Sequence, residues 1–168
     1  MIQAAGRCNR EGLKKKEDST VYIFDFEDMT QFPKDLRQWL GDNCVISLPT
    51  LITESIAPDG KTRKILVEMS DQSRVEAVLM EQHYGYSVCV SSQVGCAMGC
   101  VFCASTQGGL YRDLTVAEII GQVVIFGALT KEEIHSVVVM GAGEPLQNYD
   151  NVLQALQLLH DPMICNIS

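Results

Sequence analysis

The sequence predicts an α/β protein, in which a small α+β accessory domain precedes the first two βα units of a parallel sheet or barrel. Two observations support this prediction. Residues 26–84 combine one short helical pattern with strand and turn signals, and residues 85–168 alternate twice between strand, loop and helix. Residues 1–25 show no periodicity, and we expect them to form a poorly ordered leader.

The accessory segment, residues 26–84, contains one helix signal and three strand signals. Pro33 suits a first helical position, and Gly41 offers a stop after apolar residues that share one face, Leu36, Trp39 and Leu40. The turn residues Ser70–Ser73 predict a hairpin. Apolar runs predict strands at residues 45–48, 65–67 and 75–79.

The first βα unit begins with a predicted strand at Tyr86–Val90. A loop rich in glycine and cysteine follows this strand through Gly109. Thr115 to Glu118 match a capping box, in which the threonine is the N-cap and the glutamate lies at N3. Apolar residues at helical spacing then continue a helix to about residue 129.

The second βα unit begins at Val137–Met140, a continuous apolar run that predicts a parallel strand buried on both faces. Gly141–Pro145 forms the next loop, Asp150 is a candidate cap for a last helix, and Asp161-Pro162 ends that helix. Two parallel strands cannot complete a sheet, so we expect the chain to be a fragment. A small complete α+β domain is the competing interpretation, and it would need other partners for these strands.

Composition limits the location and the partners. The sequence contains no apolar run of about 20 residues and no secretory signal, which predicts a cytoplasmic protein without a membrane partner. The formal net charge of −8 argues mildly against nucleic acid as a partner. Lys14–Lys16 is the one tight basic run, and a solvated segment is its simplest interpretation.

Three of the seven cysteines fall within eight residues. Cys96, Cys100 and Cys103 have the spacing C-x3-C-x2-C, and short spacings let one loop bind several corners of an iron–sulfur cube. Three ligands would leave a fourth iron open. A structural zinc site normally needs four ligands, usually in two pairs, and no second pair is present in the sequence. Inert buried cysteines are the third interpretation.

This spacing resembles that of the radical S-adenosylmethionine (SAM) superfamily, and Phe102 matches its aromatic preference between the second and third cysteines. The resemblance implies a [4Fe–4S] cluster on Cys96, Cys100 and Cys103, whose open iron binds SAM. It also implies one-electron cleavage of SAM to a 5′-deoxyadenosyl radical. The implied fold is a partial (β/α)6 radical SAM barrel that carries the cysteine loop after its first strand.

Gly141–Pro145 resembles a second motif of that superfamily. By itself a Gly-x-Gly run is most often a tight turn. In this position it resembles the superfamily's Gly-Gly-Glu-like motif, which implies that Gly143 and Glu144 bind the amino group of SAM. A carboxylate is suited to that task because it accepts hydrogen bonds from an ammonium group.

The longer run Cys89–Cys103 resembles one family closely, the dual-specificity 23S rRNA and tRNA adenosine C2 methyltransferases. This resemblance extends from about residue 26 onward and includes Phe32–Lys34, Arg74–Glu76, Gly109, Arg112–Leu114 and Gly143–Pro145. It implies that the enzyme methylates one of its own cysteines near the C-terminus. A deoxyadenosyl radical then abstracts hydrogen from that methyl group, and the carbon radical adds to C2 of adenine.

The resemblance also implies roles for two residues upstream of the cluster. Cys89 matches the cysteine that resolves the enzyme–RNA adduct through a disulfide, and Glu76 matches the proton acceptor. Without the resemblance, Cys89 would be a core thiol and Glu76 a solvent-facing carboxylate. Ala142 stands where the family usually has methionine. Three further cysteines match no functional position: Cys8, Cys44 and Cys165.

The implied partners are 23S rRNA, tRNA and an electron donor such as flavodoxin or ferredoxin, and the implied state is a monomer. The methyl-carrying cysteine would lie beyond Ser168, so we expect this 168-residue chain to be inactive alone. A sister group that methylates adenosine C8 usually has alanine after the Gly-Glu pair, whereas Pro145 favours C2. Two competing hypotheses are a different radical enzyme that shares only the cluster and a non-catalytic metal-binding or RNA-binding fragment.

Overall fold

The computed structural model describes residues 32–43, 48–162 and 164–167. These residues form the helices α1 (Lys34–Asn43), α2 (Val116–Thr130) and α3 (Tyr149–His160). The strands are β1 (Thr50–Ile56), β2 (Thr62–Glu68), β3 (Arg74–Gln82), β4 (Gly85–Cys89), β5 (Gln93–Gly95), β6 (Leu110–Asp113) and β7 (Ile134–Val138). The predicted leader, Cys8, Cys44 and most of the predicted strand at 45–48 lie outside the described residues.

One mixed sheet organises the fold. Its strand order is β1-β2-β3-β4-β7, in which β1 to β4 are antiparallel neighbours and β4 pairs with β7 in parallel. A second, two-stranded antiparallel sheet joins β5 to β6. The predicted α/β class is confirmed, as are the hairpin across Ser70–Ser73 and the parallel relation of the two later strands.

The two faces of the large sheet differ in burial. Because successive side chains of a strand point to opposite faces, one face carries an apolar set that is almost inaccessible to solvent: Ile65, Val67, Val75, Ala77, Leu79, Val88 and Val90. This face belongs to the same core cluster as residues of α2 and α3, including Phe126 and Ala155. The opposite face, here called the open face, carries half-buried or exposed residues such as Leu66 and Val78.

Helix α2 matches its prediction because its N-terminus is encoded locally. The Thr115 hydroxyl accepts a hydrogen bond from the Glu118 N–H, and the Glu118 carboxylate accepts one from the Thr115 N–H. This reciprocal pair satisfies two backbone donors at the N-terminus that lack a partner within the helix.

The predicted end of α1 and the predicted start of α3 are wrong. Helix α1 continues through Gly41 to Asn43, whose side-chain amide donates to the Trp39 carbonyl. Glycine weakens a helix without terminating it unless the chain adopts a left-handed cap there. Helix α3 begins after Asn148, and Asp150 lies inside its first turn instead of capping it. Its predicted end at Asp161-Pro162 is confirmed.

Strand β7 begins and ends earlier than predicted, at Ile134 instead of Val137 and at Val138 instead of Met140, and it is more exposed. Val137 and Val138 are half-buried instead of fully buried. The reason is its place at the edge of the described sheet, where it has β4 as its single neighbour. The Met140 side chain, expected in the strand, is exposed in the following loop.

The large sheet crosses the boundary expected between the accessory segment and the βα units. Gln82 of β3 pairs with Gly85 of β4, so the hydrogen-bonded ladder is continuous there. The division into residues 1–25, 26–84 and 85–168 stays a prediction. Among the described residues, no helix has the length and apolar character needed to cross a membrane.

Candidate functional site

The cysteine loop, residues 96–109, is held at its base by the β5–β6 pair. The Cys96 N–H donates to the Gly109 carbonyl at 3.1 Å, which closes the loop. Gly95 has φ +76°, and a Cβ there would overlap the Gly109 carbonyl oxygen. A side chain at position 95 would therefore force the two ends of the loop apart.

The three cysteines differ in exposure along the loop. Cys96 is buried at the base, Cys100 is exposed and Cys103 is half-buried. The Gly99 N–H donates to the Thr106 hydroxyl at 2.9 Å, and the Cys103 N–H donates to the Cys100 carbonyl at 3.1 Å. All the cysteines in the described residues are free thiols.

The donor set fits an iron–sulfur cluster with three protein ligands. In the described part of the chain, no three His, Cys, Asp or Glu side chains are arranged to hold a single metal ion. A cube spaces its ligands more widely than one ion does, and thiolates from one short loop are its usual ligands. Cys96, Cys100 and Cys103 meet that chemical requirement, although the ligand assignment stays a prediction.

A second loop, Gly141–Pro145, lies against the segment that leads into the cysteine loop. It follows β7, and since β7 is parallel to β4, both loops leave the carboxyl edge of the sheet. The Gly141 N–H donates to the Val90 carbonyl at 3.0 Å, and the Ser92 N–H donates to the Ala142 carbonyl at 2.9 Å. The Ala142 N–H donates to the Ser91 hydroxyl at 2.9 Å.

The glycines of this loop are required by contact between the two segments. A Cβ at Gly141 would lie 2.6 Å from the Ser91 hydroxyl oxygen. Gly143 has φ +103°, and its Cβ would lie 2.6 Å from the Gln93 Cβ. We expected these glycines to allow close approach of a ligand. In the structure, glycine is needed at these positions because the two segments pack too closely for a side chain. Cofactor binding by Gly143 stays a prediction.

Glu144 is half-buried beside this contact. Its N–H donates to the Gln93 side-chain oxygen at 2.8 Å. One carboxylate oxygen accepts a hydrogen bond from the Leu146 N–H at 3.0 Å. The backbone at Glu144 is thus fixed, and the carboxylate retains further lone pairs that can accept bonds from an ammonium group.

Glu76 and Cys89 share the open face. Val78 of β3 pairs with Cys89 of β4, and Glu76 precedes Val78 by two residues, so alternation places all three on the same side. The Lys64 ammonium lies 3.0 Å from the Glu76 carboxylate, and both side chains are exposed. Burial raises the pKa of the Cys89 thiol, which a backbone hydrogen bond from Met140 partly offsets.

Arg112 forms a junction that the sequence did not reveal. Its guanidinium donates to the Asp71 carboxylate at 2.6 and 3.0 Å and to the Glu118 carboxylate at 2.8 and 2.9 Å. The hydrogen bond from Arg112 lowers the pKa of Asp71, with a further contribution from Ser73. Burial opposes ionisation of Glu118, but hydrogen bonds from Arg112 and Thr115 outweigh it and lower its pKa.

Three buried side-chain amides also escaped the sequence prediction: Gln93, Gln122 and Asn148. Gln122 bonds both the N–H and the carbonyl of Ser91, while Asn148 donates to the carbonyls of Ser92 and Leu114. The sequence did carry a signal for Gln122, because it is a polar residue inside the apolar run of α2. Neither Gln93 nor Asn148 interrupts a periodic pattern.

Comparison with known proteins agrees with this geometry. Residues 90–167 match the radical SAM superfamily. The chain is 50% identical over 147 residues to a probable dual-specificity RNA methyltransferase RlmN of Symbiobacterium thermophilum, spanning 86% of this chain and 40% of the relative. It is 45% identical over 148 residues to a protein of the same name from Staphylococcus aureus strain Newman, with the same coverage of each chain.

A solved structure gives the same result for the fold. The crystal structure of a radical SAM methyltransferase from Sphaerobacter thermophilus superposes with a TM-score of 0.77 at 37% identity, covering 87% of this chain and 44% of that chain. The predicted fold class and the predicted family resemblance are confirmed. The chain spans about two fifths of the length of the curated relatives it matches.

Proposed function

We propose, because residues 90–167 match the radical SAM superfamily, that the whole protein is an RNA methyltransferase acting on C2 of adenosine. Its proposed substrates are 23S rRNA and tRNA. It would be a cytoplasmic monomer that takes electrons from a donor such as flavodoxin or ferredoxin. The names of the two RNA methyltransferases that it resembles support dual specificity toward RNA.

One structural observation supports this proposal above the others. The segment that leads from β4 into the cysteine loop and the Gly141–Pro145 loop that follows β7 leave neighbouring parallel strands, and they contact each other through the Ser92–Ala142 hydrogen bond. Crevices at the carboxyl ends of parallel strands are where α/β proteins bind ligands. A reactive group bound by one loop would therefore lie next to a ligand bound by the other.

Each residue has a defined task in the proposed site. Cys96, Cys100 and Cys103 would hold a [4Fe–4S] cluster, which supplies an electron to SAM when bound. Glu144 would accept hydrogen bonds from the SAM ammonium group, while Gly143 lets the backbone pass close to Gln93.

Glu76 and Cys89 would act on the RNA from the open face. Glu76, whose carboxylate lies 3.0 Å from the Lys64 ammonium, would accept the proton that the adenine carbon loses. In the proposed resolution step, the Cys89 sulfur would form a disulfide with the methyl-carrying cysteine while the bond from that cysteine to the RNA methylene carbon breaks, and this carbon would take up the proton that the Cys89 thiol loses. The thiol holds that proton beforehand because burial raises its pKa. Alternation on β3 and β4 places both groups on the same face.

The proposal is tested by nucleoside mass spectrometry of RNA treated with the whole protein, SAM and a reductant without oxygen. We expect 2-methyladenosine; 8-methyladenosine would move the protein to the sister group, and unmodified RNA would contradict the proposal. The substitution Cys89→Ala should trap a covalent protein–RNA adduct. Cys165→Ala is the matched control, and it should release methylated RNA normally.

A further inference from the structure

The side-chain amide of Gln93 joins the cysteine loop to the Gly141–Pro145 loop. Gln93 is 0% exposed and lies three residues before Cys96. Its side-chain oxygen accepts the Glu144 N–H at 2.8 Å, and its side-chain nitrogen donates to the Asp113 carboxylate at 2.7 Å. The two ends of the amide therefore bond different segments: the oxygen bonds the Gly141–Pro145 loop, and the nitrogen bonds strand β6.

Three further contacts fix Gln93 itself. Its N–H donates to the Ala142 carbonyl at 3.2 Å, and Gly143 packs directly against its Cβ. It pairs with Asp113 across the β5–β6 ladder, which forms the base of the cysteine loop. A buried amide with both ends bonded and its backbone held has a single low-energy placement.

We propose that Gln93 is a positioning residue that sets Glu144 relative to the cysteine loop, and so determines the affinity for the amino-acid part of SAM. This proposal rests on the proposed function. The side-chain hydrogen bonds of Gln93 go to Glu144 and Asp113, so Gln93 acts through the Glu144 N–H. Because a ligand that binds two loops at once requires their correct separation, small displacements should weaken binding strongly.

The buried amide of Gln122 provides a comparison within the same structure. It makes two hydrogen bonds with the backbone of Ser91 and one with the Glu118 carbonyl, and none of these three bonds goes to the Gly141–Pro145 loop. A substitution at Gln122 disturbs a buried amide of the same kind without touching Glu144. Gln122→Glu is therefore the matched control for Gln93→Glu.

Reversing the polarity of the Gln93–Asp113 bond tests the positioning role. In Gln93→Glu, an oxygen replaces the donor that lies 2.7 Å from Asp113, and two carboxylates then repel each other. Adding Asp113→Asn restores a donor on the opposite partner and returns the net charge to its original value. The second oxygen of the new glutamate still accepts the Glu144 N–H.

The affinity of the reconstituted full chain for SAM is the first readout, followed by the spectral change of its cluster. Gln93→Glu should weaken SAM binding about tenfold, as expected for one lost charge-assisted bond. The double variant should recover to within about threefold, and all variants should keep their iron. Unchanged affinity in Gln93→Glu, failure of the double variant to recover, or loss of iron in Gln93→Glu would each overturn the proposal.

Hydrogen exchange of the Glu144 amide is the second readout and needs neither cluster nor SAM. Gln93→Leu removes the acceptor of that N–H and should speed its exchange, whereas Gln122→Leu should not. If the wild-type chain assembles no cluster, the proposed function fails. Exchange of the Glu144 amide still tests whether Gln93 fixes the backbone of Glu144. Equal exchange in Gln93→Leu and wild type would overturn it.

Discussion

The base and the tip of the cysteine loop are built on different principles. The base consists of residues 91–96 and 109–114, and the tip of residues 97–108. In the base, Ser91, Ser92 and Gln93 are buried, and their polar groups bond neighbouring segments. In the tip, Val101 and Phe102 are almost fully exposed, and Phe102 retains 90% of its accessible surface.

This difference shows where stability and chemistry lie. Buried polar groups are costly unless bonded, so the bonds of the base hold one backbone arrangement. Within the described residues, the tip buries little, and its conformation rests on short local contacts such as Gly99 with Thr106. Substitutions at the tip should therefore change ligand binding with little effect on folding, whereas substitutions at the base should also change the free energy of unfolding.

The largest effect should come from the cluster cysteines. Replacing Cys96, Cys100 and Cys103 together by serine should abolish iron binding, because serine is a poor ligand for an iron–sulfur cluster. Iron and acid-labile sulfide after anaerobic reconstitution measure this outcome. Cys165→Ser, outside the loop, should keep its full iron content; equal iron loss in both variants would contradict the ligand assignment.

At the base, Arg112→Met should lower the free energy of unfolding by about 2 kcal/mol, because the buried Glu118 carboxylate loses its charged donor. Urea unfolding of the metal-free chain measures this change. Arg74→Met is the control, since Arg74 pairs with Glu68 on the exposed surface and should cost less than about 0.5 kcal/mol. Equal effects of the two substitutions would mean that the junction adds no stability.

Acid should also distinguish Arg112→Met from the wild-type chain. The pKa values of Asp71 and Glu118 are lowered in the folded chain, so the unfolded chain binds more protons at low pH. The stability they supply is present above their unfolded pKa values, about 4, and is lost as pH falls further. Unfolding from pH 6 to 3 should show a shallower decline for Arg112→Met than for wild type; parallel declines would contradict the junction.

The smallest effect should come from the tip. Val101→Ser should change the free energy of unfolding by less than about 0.5 kcal/mol, because the Val101 side chain is fully exposed. Val90→Ser is the contrasting control, since Val90 is 0% exposed in the core and should cost several times more. A decrease in the free energy of unfolding for Val101→Ser as large as that for Val90→Ser would contradict the exposed position of Val101.

Local signals in the sequence predicted much of the fold. The Thr115–Glu118 capping box and the turn at Ser70–Ser73 encode their structures within four residues, and the structure has both. Strand β1 was missed because all its residues are exposed, so it carries no burial period. Strands β5 and β6 were missed because they are short and pair across an intervening loop.

Only those residues of the candidate site that lie close together in the sequence could be predicted. Cys96, Cys100 and Cys103 stand out by spacing within eight residues. The roles of Gln93 and Arg112 depend instead on contacts with residues 51 and 41 positions away, which no periodicity reveals. The shared face of Glu76 and Cys89 likewise follows from strand register, which the sequence alone did not supply.

The most direct test of the central claim is anaerobic reconstitution with iron and sulfide, followed by electron paramagnetic resonance of the reduced protein with and without SAM. We predict about four irons per chain and a cluster signal that SAM shifts, because one iron is left open to the cofactor. Stoichiometric zinc without a cluster, or a four-iron signal that SAM leaves unchanged, would contradict the account.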